Sequence, residues 1–270
     1  MKTVTSKDGT TIAFEQSGTG PALILVGGSF EHRAMDSETA QLAALPLLGR
    51  HFTVIHYDRR GRGDSTDIQP YAVQREIEDI EALIDEAGGS AYLSGISSGA
   101  ALALEAALAL GRKVKGLAMY EAPYSDDEFY RQGVRELTSQ LRDALADDRR
   151  GDAVGHFMTF MGVPADQLDE MRQYPMWPMW EAVAATLGYE IDVMGEDASV
   201  PTERAAGLTV PTLIMAGEAS DPSTHATART LADAIPNSRH RTLEGQTHVV
   251  AAEALALELV EFFKSTAANS

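Results

Sequence analysis

The sequence predicts an α/β architecture: a mostly parallel sheet with helices on both faces and an inserted helical lid. Three observations carry this. Short, wholly apolar runs such as Ala22–Val26 have the pattern of strands buried on both faces. Between them lie stretches of helical periodicity, the alternation that builds parallel sheets. That alternation stops at Pro123 and resumes near Gly207. The core is therefore expected over residues 1–122 and 207–270, and the lid over 123–206.

Taken in order, Lys2–Thr5 and Thr10–Gln16 are β-like runs around Asp8-Gly9, a hairpin turn. The break Gly18-Thr19-Gly20-Pro21 leads into the strand Ala22–Val26, which ends on Gly27-Gly28-Ser29-Phe30. A helix is expected over Ser37–Leu45 and a buried strand over Phe52–Tyr57. Asp58–Ser65 follows, dense in turn formers and charges; it reads as a brace between loops or as an anion site. Val73–Ala87 places apolar residues at Val73, Ile77, Ile80, Leu83 and Ile84, an amphipathic helix ended by Gly88-Gly89.

Ala91–Ala100 is the centre of the chain. An apolar run ends in Gly95-Ile96-Ser97-Ser98-Gly99, and an Ala/Leu-rich helical run follows to Leu110. A strand turning this sharply into a helix needs small residues two before and two after the apex. Gly95 and Gly99 supply them, and Ser97 sits at the apex above the sheet end. The strand Val114–Tyr120 ends in Glu121-Ala122-Pro123. The lid segment is charged over Asp126–Asp148, then rich in Met and aromatics. It holds both tryptophans, Trp177 and Trp180. These form an apolar substrate wall, with Trp177 the foremost, or they fix the lid to the body. Val210–Gly217, a helix over Ala226–Ile235, the strand Ser238–Leu243 and a terminal helix over Ala252–Phe263 complete the pattern.

With 270 residues, 44% hydrophobic, the chain is long enough for one large core. It has no cysteine, hence no disulfide framework and no thiolate nucleophile. The formal charge of -18 speaks against nucleic acid and anionic membrane surfaces as partners. No secretory signal or membrane span is visible, so a cytoplasmic location is expected. No His-x-x-x-His or Asp/His cluster calls for a metal, and no cofactor is implied. The partner expected is a small molecule, and a homodimer is left open.

In parallel sheets, functional groups gather beyond the C-terminal ends of strands. The polar residues there are Ser29, Asp58, Ser97, Glu121, Asp221 and His248. A serine hydroxyl needs a base to take its proton, and a carboxylate to orient that base. Of the seven histidines, His248 lies in a loop after the last strand and is free to reach Ser97. The Gly27-Gly28 turn offers backbone N–H groups for half of an oxyanion hole, with Ser29 first and Phe30 next.

The chain resembles the α/β-hydrolase superfamily. The resemblance rests on Val26-Gly27-Gly28, on Asp58–Ser65, on the Gly95–Gly99 elbow and on Gly245-Gln246-Thr247-His248. Where many members carry His-Gly, this chain has Gly27-Gly28. The resemblance implies Ser97 as nucleophile, His248 as base and the Ser98 N–H as second oxyanion donor. Most members place the acid after the penultimate strand as Gly-x-x-Asp; here that position is Ser220, and Asp221 is one further on. Some branches, among them lactone hydrolases acting on zearalenone, place it where Glu121 stands. Similarity to those appears at Gly95–Ala100, Glu121-Ala122-Pro123 and Tyr174-Pro175-Met176-Trp177. Glu121 is favoured over Asp221, which stays open.

The expected activity is cleavage of a carboxylic ester or lactone through an acyl-enzyme. The alternatives are C–C bond, thioester or perhydrolase chemistry on the same triad, or a ligand-binding protein without catalysis.

Overall fold

In the computed structural model, which describes residues 1–267 and their side chains except those of 36–38, eight strands form one sheet. The strands are β1 (Lys2–Thr5), β2 (Thr11–Gly18), β3 (Ala22–Val26), β4 (Thr53–Tyr57), β5 (Ala91–Ile96), β6 (Val114–Tyr120), β7 (Thr212–Gly217) and β8 (Ser238–Leu243). Their order is β1-β2-β4-β3-β5-β6-β7-β8. The first two joins, β1 with β2 and β2 with β4, are antiparallel; all others are parallel.

The hairpin at Asp8-Gly9 forms because Gly9 takes a φ of 93° and Asp8 Oδ1 accepts the Thr10 N–H at 2.9 Å. In β3 the pleat sends Ile24 and Val26 to one core and Leu23 and Leu25 to the other. Each face therefore needs its own helices.

On the first face lie α3 (Val73–Glu86), α4 (Ser98–Leu110) and α11 (Pro222–Ala234), burying among others Ile80, Leu104 and Leu231. On the second lie α1 (Ala40–Ala43), α2 (Leu45–Leu48) and α12 (Ala252–Ala267). Phe263 of α12 stacks on Tyr92 of β5 with ring centroids 4.5 Å apart. Burying a ring of this size contributes on the order of 2 kcal/mol.

The expected helix over Ser37–Leu45 is instead a 3-10 turn at Arg33–Glu38 followed by the short α1 and α2. Thr39 is extended (φ -106°, ψ 152°) and separates the 3-10 turn from α1, and Pro46, with no N–H to donate to the carbonyl four residues back, separates α1 from α2. The helix expected from Ala226 starts earlier, at Pro222, with Asp221 as its N-terminal flanking residue. Proline suits that first turn because its fixed φ is already helical.

Between β6 and β7 the chain is helical: α5 (Glu128–Ala146), α6 (Arg150–Phe160), α7 (Ala165–Met171), α8 (Trp177–Val183), α9 (Leu187–Met194) and α10 (Thr202–Ala205). Asp127 caps α5 by accepting the Tyr130 N–H.

Asp58–Ser65 is a brace. Arg59, Arg60 and Arg62 are all buried. Arg59 forks onto Glu76, and Arg60 onto Asp79 with a further contact to Asp8. Arg62 and Arg59 both reach Glu190 of α9. A buried guanidinium is tolerated only with such partners, and here they tie the helical insertion to the core. Among the described residues no helix is long and apolar enough to cross a membrane.

Candidate active site

Strand β5 turns into α4 at Ser97, whose φ is 55° and ψ -131°. A side chain placed on Gly95 would meet Gly99 O at 2.2 Å, and one on Gly99 would meet Val26 O at 2.2 Å. Both positions are closed to any residue but glycine, which is why the elbow reads Gly-x-Ser-x-Gly. The Ser97 N–H is held by Tyr120 O at 2.9 Å.

Two neighbouring strand ends are strained in the same way. Phe30 beyond β3 has a φ of 63°, and Glu121 beyond β6 has a φ of 48°. Each such non-glycine residue costs on the order of 1–3 kcal/mol, and clusters of them mark functional sites.

Glu121 is buried and its carboxylate is fully engaged. Oε2 lies 2.7 Å from His248 Nδ1; Oε1 accepts the Gly217 N–H at 2.8 Å and the Ser220 hydroxyl at 2.5 Å. Burial alone would raise its pKa. The hydrogen bonds from His248, Ser220 and Gly217 outweigh it and hold the carboxyl below its ordinary value. An ionised carboxylate only accepts, so His248 Nδ1 is the donor of this bond, and in the neutral imidazole Nε2 is then the acceptor.

The loop bearing His248 is clamped from two sides. The Tyr120 hydroxyl donates to Thr247 O, and the Ala219 N–H donates to Gln246 O at 2.9 Å. Ser97 and His248 border the same cleft, with no hydrogen bond between their side chains.

That cleft has a volume of about 580 Å³. Its lining includes Tyr124, Tyr130, Phe160 and Met161 together with the polar Ser220, Asp221 and Thr224. No lysine or arginine lines it among the described residues. Sequence reasoning missed Tyr130 and Phe160. The aromatic-rich character of residues 157–161 was the available signal.

The Gly27–Phe30 loop lies against the elbow. A Cβ on Gly28 would stand 3.1 Å from Ile96 O and 3.5 Å from Ser97 Cβ. The Ser29 and Ser98 hydroxyls are 3.2 Å apart. Neither the Ser29 nor the Ser98 backbone N–H donates to an acceptor among the described residues. Ser98 opens α4, where the helix dipole adds positive character.

The other predicted residues stand elsewhere. Asp221 borders the cleft but is exposed at the head of α11, and its carboxylate does not meet His248. Trp177 and Trp180 do not line the cleft. Trp177 is 4% exposed, donates from Nε1 to Glu181 at 2.7 Å, and lies under the Arg172 guanidinium. Trp180 packs on Phe30, which meets Phe157 edge-on with centroids 5.2 Å apart. These rings join the insertion to the loop after β3. The Phe30 side chain belongs to that packing, not to the cleft wall. His225 sits in the first turn of α11 with Nε2 3.2 Å from Glu218 O.

A mostly parallel sheet carries a strained elbow serine and a carboxylate-held histidine beyond the C-terminal ends of its strands, the architecture of a hydrolase-type fold. The chain belongs to the alpha/beta hydrolase family, whose model matches residues 22–260. It is 50% identical to an alpha/beta hydrolase from Sphaerobacter thermophilus DSM 20745, with 97% of this chain and 100% of that one covered and a TM-score of 0.85. Its fold is also that of a thermophilic esterase from Thermogutta terrifontis, solved with malate bound (20% identity, 98% of each chain covered, TM-score 0.73). The same holds for the enol-lactonase from Burkholderia xenovorans LB400 (22% identity, 97% and 100% covered, TM-score 0.68). Among curated proteins, no sequence matches the chain.

Proposed function

We propose that this protein is a serine hydrolase that cleaves a carboxylic ester or lactone, with residues 123–206 acting as a lid over the cleft. The observation that carries the reading is the 2.7 Å contact of His248 Nδ1 with Glu121 Oε2 beside the strained Ser97. Ser97 Oγ attacks the carbonyl carbon while His248 Nε2 takes its proton. Glu121 keeps the imidazole in the right tautomer and stabilises the imidazolium. The Ser29 and Ser98 N–H groups receive the oxyanion of the tetrahedral intermediate. His248 then gives its proton to the leaving alcohol, and water resolves the acyl-enzyme by the reverse sequence. No cofactor enters.

The substrate is a small uncharged molecule. Its apolar part lies against Tyr130, Phe160 and Met161, and no cation stands in the cleft to receive a carboxylate. The esterase and the enol-lactonase that share the fold support ester-type chemistry.

The test is a fluorophosphonate probe with a panel of short-chain, long-chain and macrocyclic esters. Ser97 becomes labelled, and Ser97→Ala loses both labelling and turnover. Full turnover by the alanine variant would falsify the mechanism.

A further inference from the structure

Against the Gly27–Phe30 loop lies a buried guanidinium that does not line the cleft and that the reaction scheme has not used. Arg62 is 1% exposed. Its Nη1 donates to Gly28 O at 2.6 Å and to Glu31 O at 3.2 Å. Its Nε donates to Thr186 Oγ1 at 3.1 Å, and its Nη2 pairs with Glu190 Oε1. Thr186 and Glu190 both belong to the helical insertion. One side chain therefore spans three separate parts of the molecule.

The contact with Gly28 O has a chemical consequence. The Gly28–Ser29 peptide is trans. In a trans peptide the C=O and the following N–H point in opposite directions. A guanidinium holding Gly28 O from the buried side therefore turns the Ser29 N–H away from itself. A cation on the carbonyl oxygen also draws electron density from the amide, which makes that N–H a stronger donor. The preceding peptide is held too. Arg59 Nη1 donates to Gly27 O at 3.3 Å, and the Gly28 N–H is taken by Glu31 Oε2 at 3.2 Å. With Gly28 occupied in this way, Ser29 is the residue of this pair whose N–H is left for a ligand.

We propose that Arg62 is a positioning residue for the oxyanion hole, with Glu190 and Thr186 of the insertion setting the guanidinium in place. Arg62 touches no substrate; it acts through the Gly28–Ser29 peptide. The insertion thereby does more than cover the cleft: its α9 helix supplies the counter-charge for the cation that orients the oxyanion donor. The inference rests on the serine-hydrolase reading.

The experiment compares a p-nitrophenyl ester with its thionoester, in which C=S replaces C=O. Sulfur accepts hydrogen bonds poorly, so an oriented oxyanion donor favours the oxygen compound. Arg62→Lys keeps the charge opposite Glu190, but one ammonium cannot hold Gly28, Glu31, Thr186 and Glu190 together. In the folded variant the oxygen-to-sulfur ratio of kcat/KM falls by about tenfold while KM for the oxygen ester stays within about threefold. A variant that is merely loosened slows on both compounds alike, and an unchanged ratio overturns the proposal. Should Arg62→Lys fail to fold, Thr186→Val removes one uncharged partner of Arg62 and lowers the ratio by about threefold; a wild-type ratio there also overturns it. If wild-type protein shows no Ser97-dependent turnover of either ester, the hydrolase reading is what fails.

Discussion

Glu121 and His248 are separated by 127 positions, yet Glu121 Oε2 and His248 Nδ1 meet at 2.7 Å. The meeting is built by the sheet. Glu121 leaves the end of β6, its N–H is held by Met215 O of β7, and the loop after β8 brings His248 over it.

This geometry makes Glu121 the triad acid in the proposed mechanism. Glu121→Gln keeps the shape and removes the charge that selects the tautomer, so kcat falls by about 10²–10⁴. Asp221→Asn on a neutral ester stays near the wild-type rate. Steady-state kinetics of the two variants decide the matter: a near-normal kcat for Glu121→Gln removes the assignment.

How much of this was legible depends on the range of the interaction. The elbow was readable because its constraint is local: Gly95 and Gly99 are forced by backbone contacts within a few residues and across one strand. His248 was readable because few histidines lie beyond a strand end. The choice between Glu121 and Asp221 was not, since both follow apolar runs and only the loop path separates them. Asp221 is drawn off as the residue flanking α11, and Ser220 instead supports Glu121. The partnership of Arg59 and Arg62 with Glu190 spans more than 120 positions and left no trace in local pattern. For Trp177 and Trp180 the substrate wall and the lid anchor stayed open because a burst of aromatics looks the same whether it faces a ligand or a neighbouring helix.

Ser220 holds Glu121 in its charged form, and that has a pH signature. Glu121 has a lowered folded pKa, so its contribution to stability is present above the ordinary carboxylate range and is lost as pH falls through the folded value. Ser220→Ala removes one of the lowering hydrogen bonds. It costs about 1–2 kcal/mol at neutral pH, and the gap to wild type narrows as the medium is acidified through and below the ordinary carboxylate range. Denaturant melts at several pH values measure this; a gap independent of pH contradicts it.

His32 and His56 lie behind the Gly27–Phe30 loop. Each is held below 6.5, chiefly by burial, with Arg33 opposing the charged form of both. The unfolded chain therefore binds a proton that the folded one refuses. Stability falls as pH drops from 6.5 toward the folded values. His56→Asn abolishes its share of that slope. The expected result is a smaller loss of Tm than wild type between about pH 7.5 and about pH 5.5. Equal slopes in the two proteins count against the buried, neutral histidine.

Glu190 shares with Glu76 the neutralisation of two buried guanidinium groups. Glu190→Ala removes the carboxylate that Arg59 and Arg62 share and leaves Arg62 without its ion-pair partner in the core. Breaking such a network from one side costs about 3–5 kcal/mol. A drop in the denaturant midpoint with an unchanged slope is the expected outcome, and a loss below about 1 kcal/mol rules the network out as an anchor for the insertion.

The cleft also carries a charge preference. Asp221 borders it with no ion-pair partner among the described residues, no lysine or arginine lines it, and the chain carries a formal charge of -18. A substrate carboxylate entering here meets repulsion with nothing to offset it. One unpaired carboxylate a few ångströms away is worth about 1 kcal/mol in a solvated cleft, or about a fivefold loss in kcat/KM. Two esters of equal size, one ending in a methyl ester and one in a free carboxylate, test this at neutral pH. The neutral ester is preferred, Asp221→Asn narrows the difference, and added salt narrows it as well because the charges are partly exposed. A preference for the carboxylate-bearing ester would place an unseen cation in the cleft and overturn the assignment of uncharged substrates.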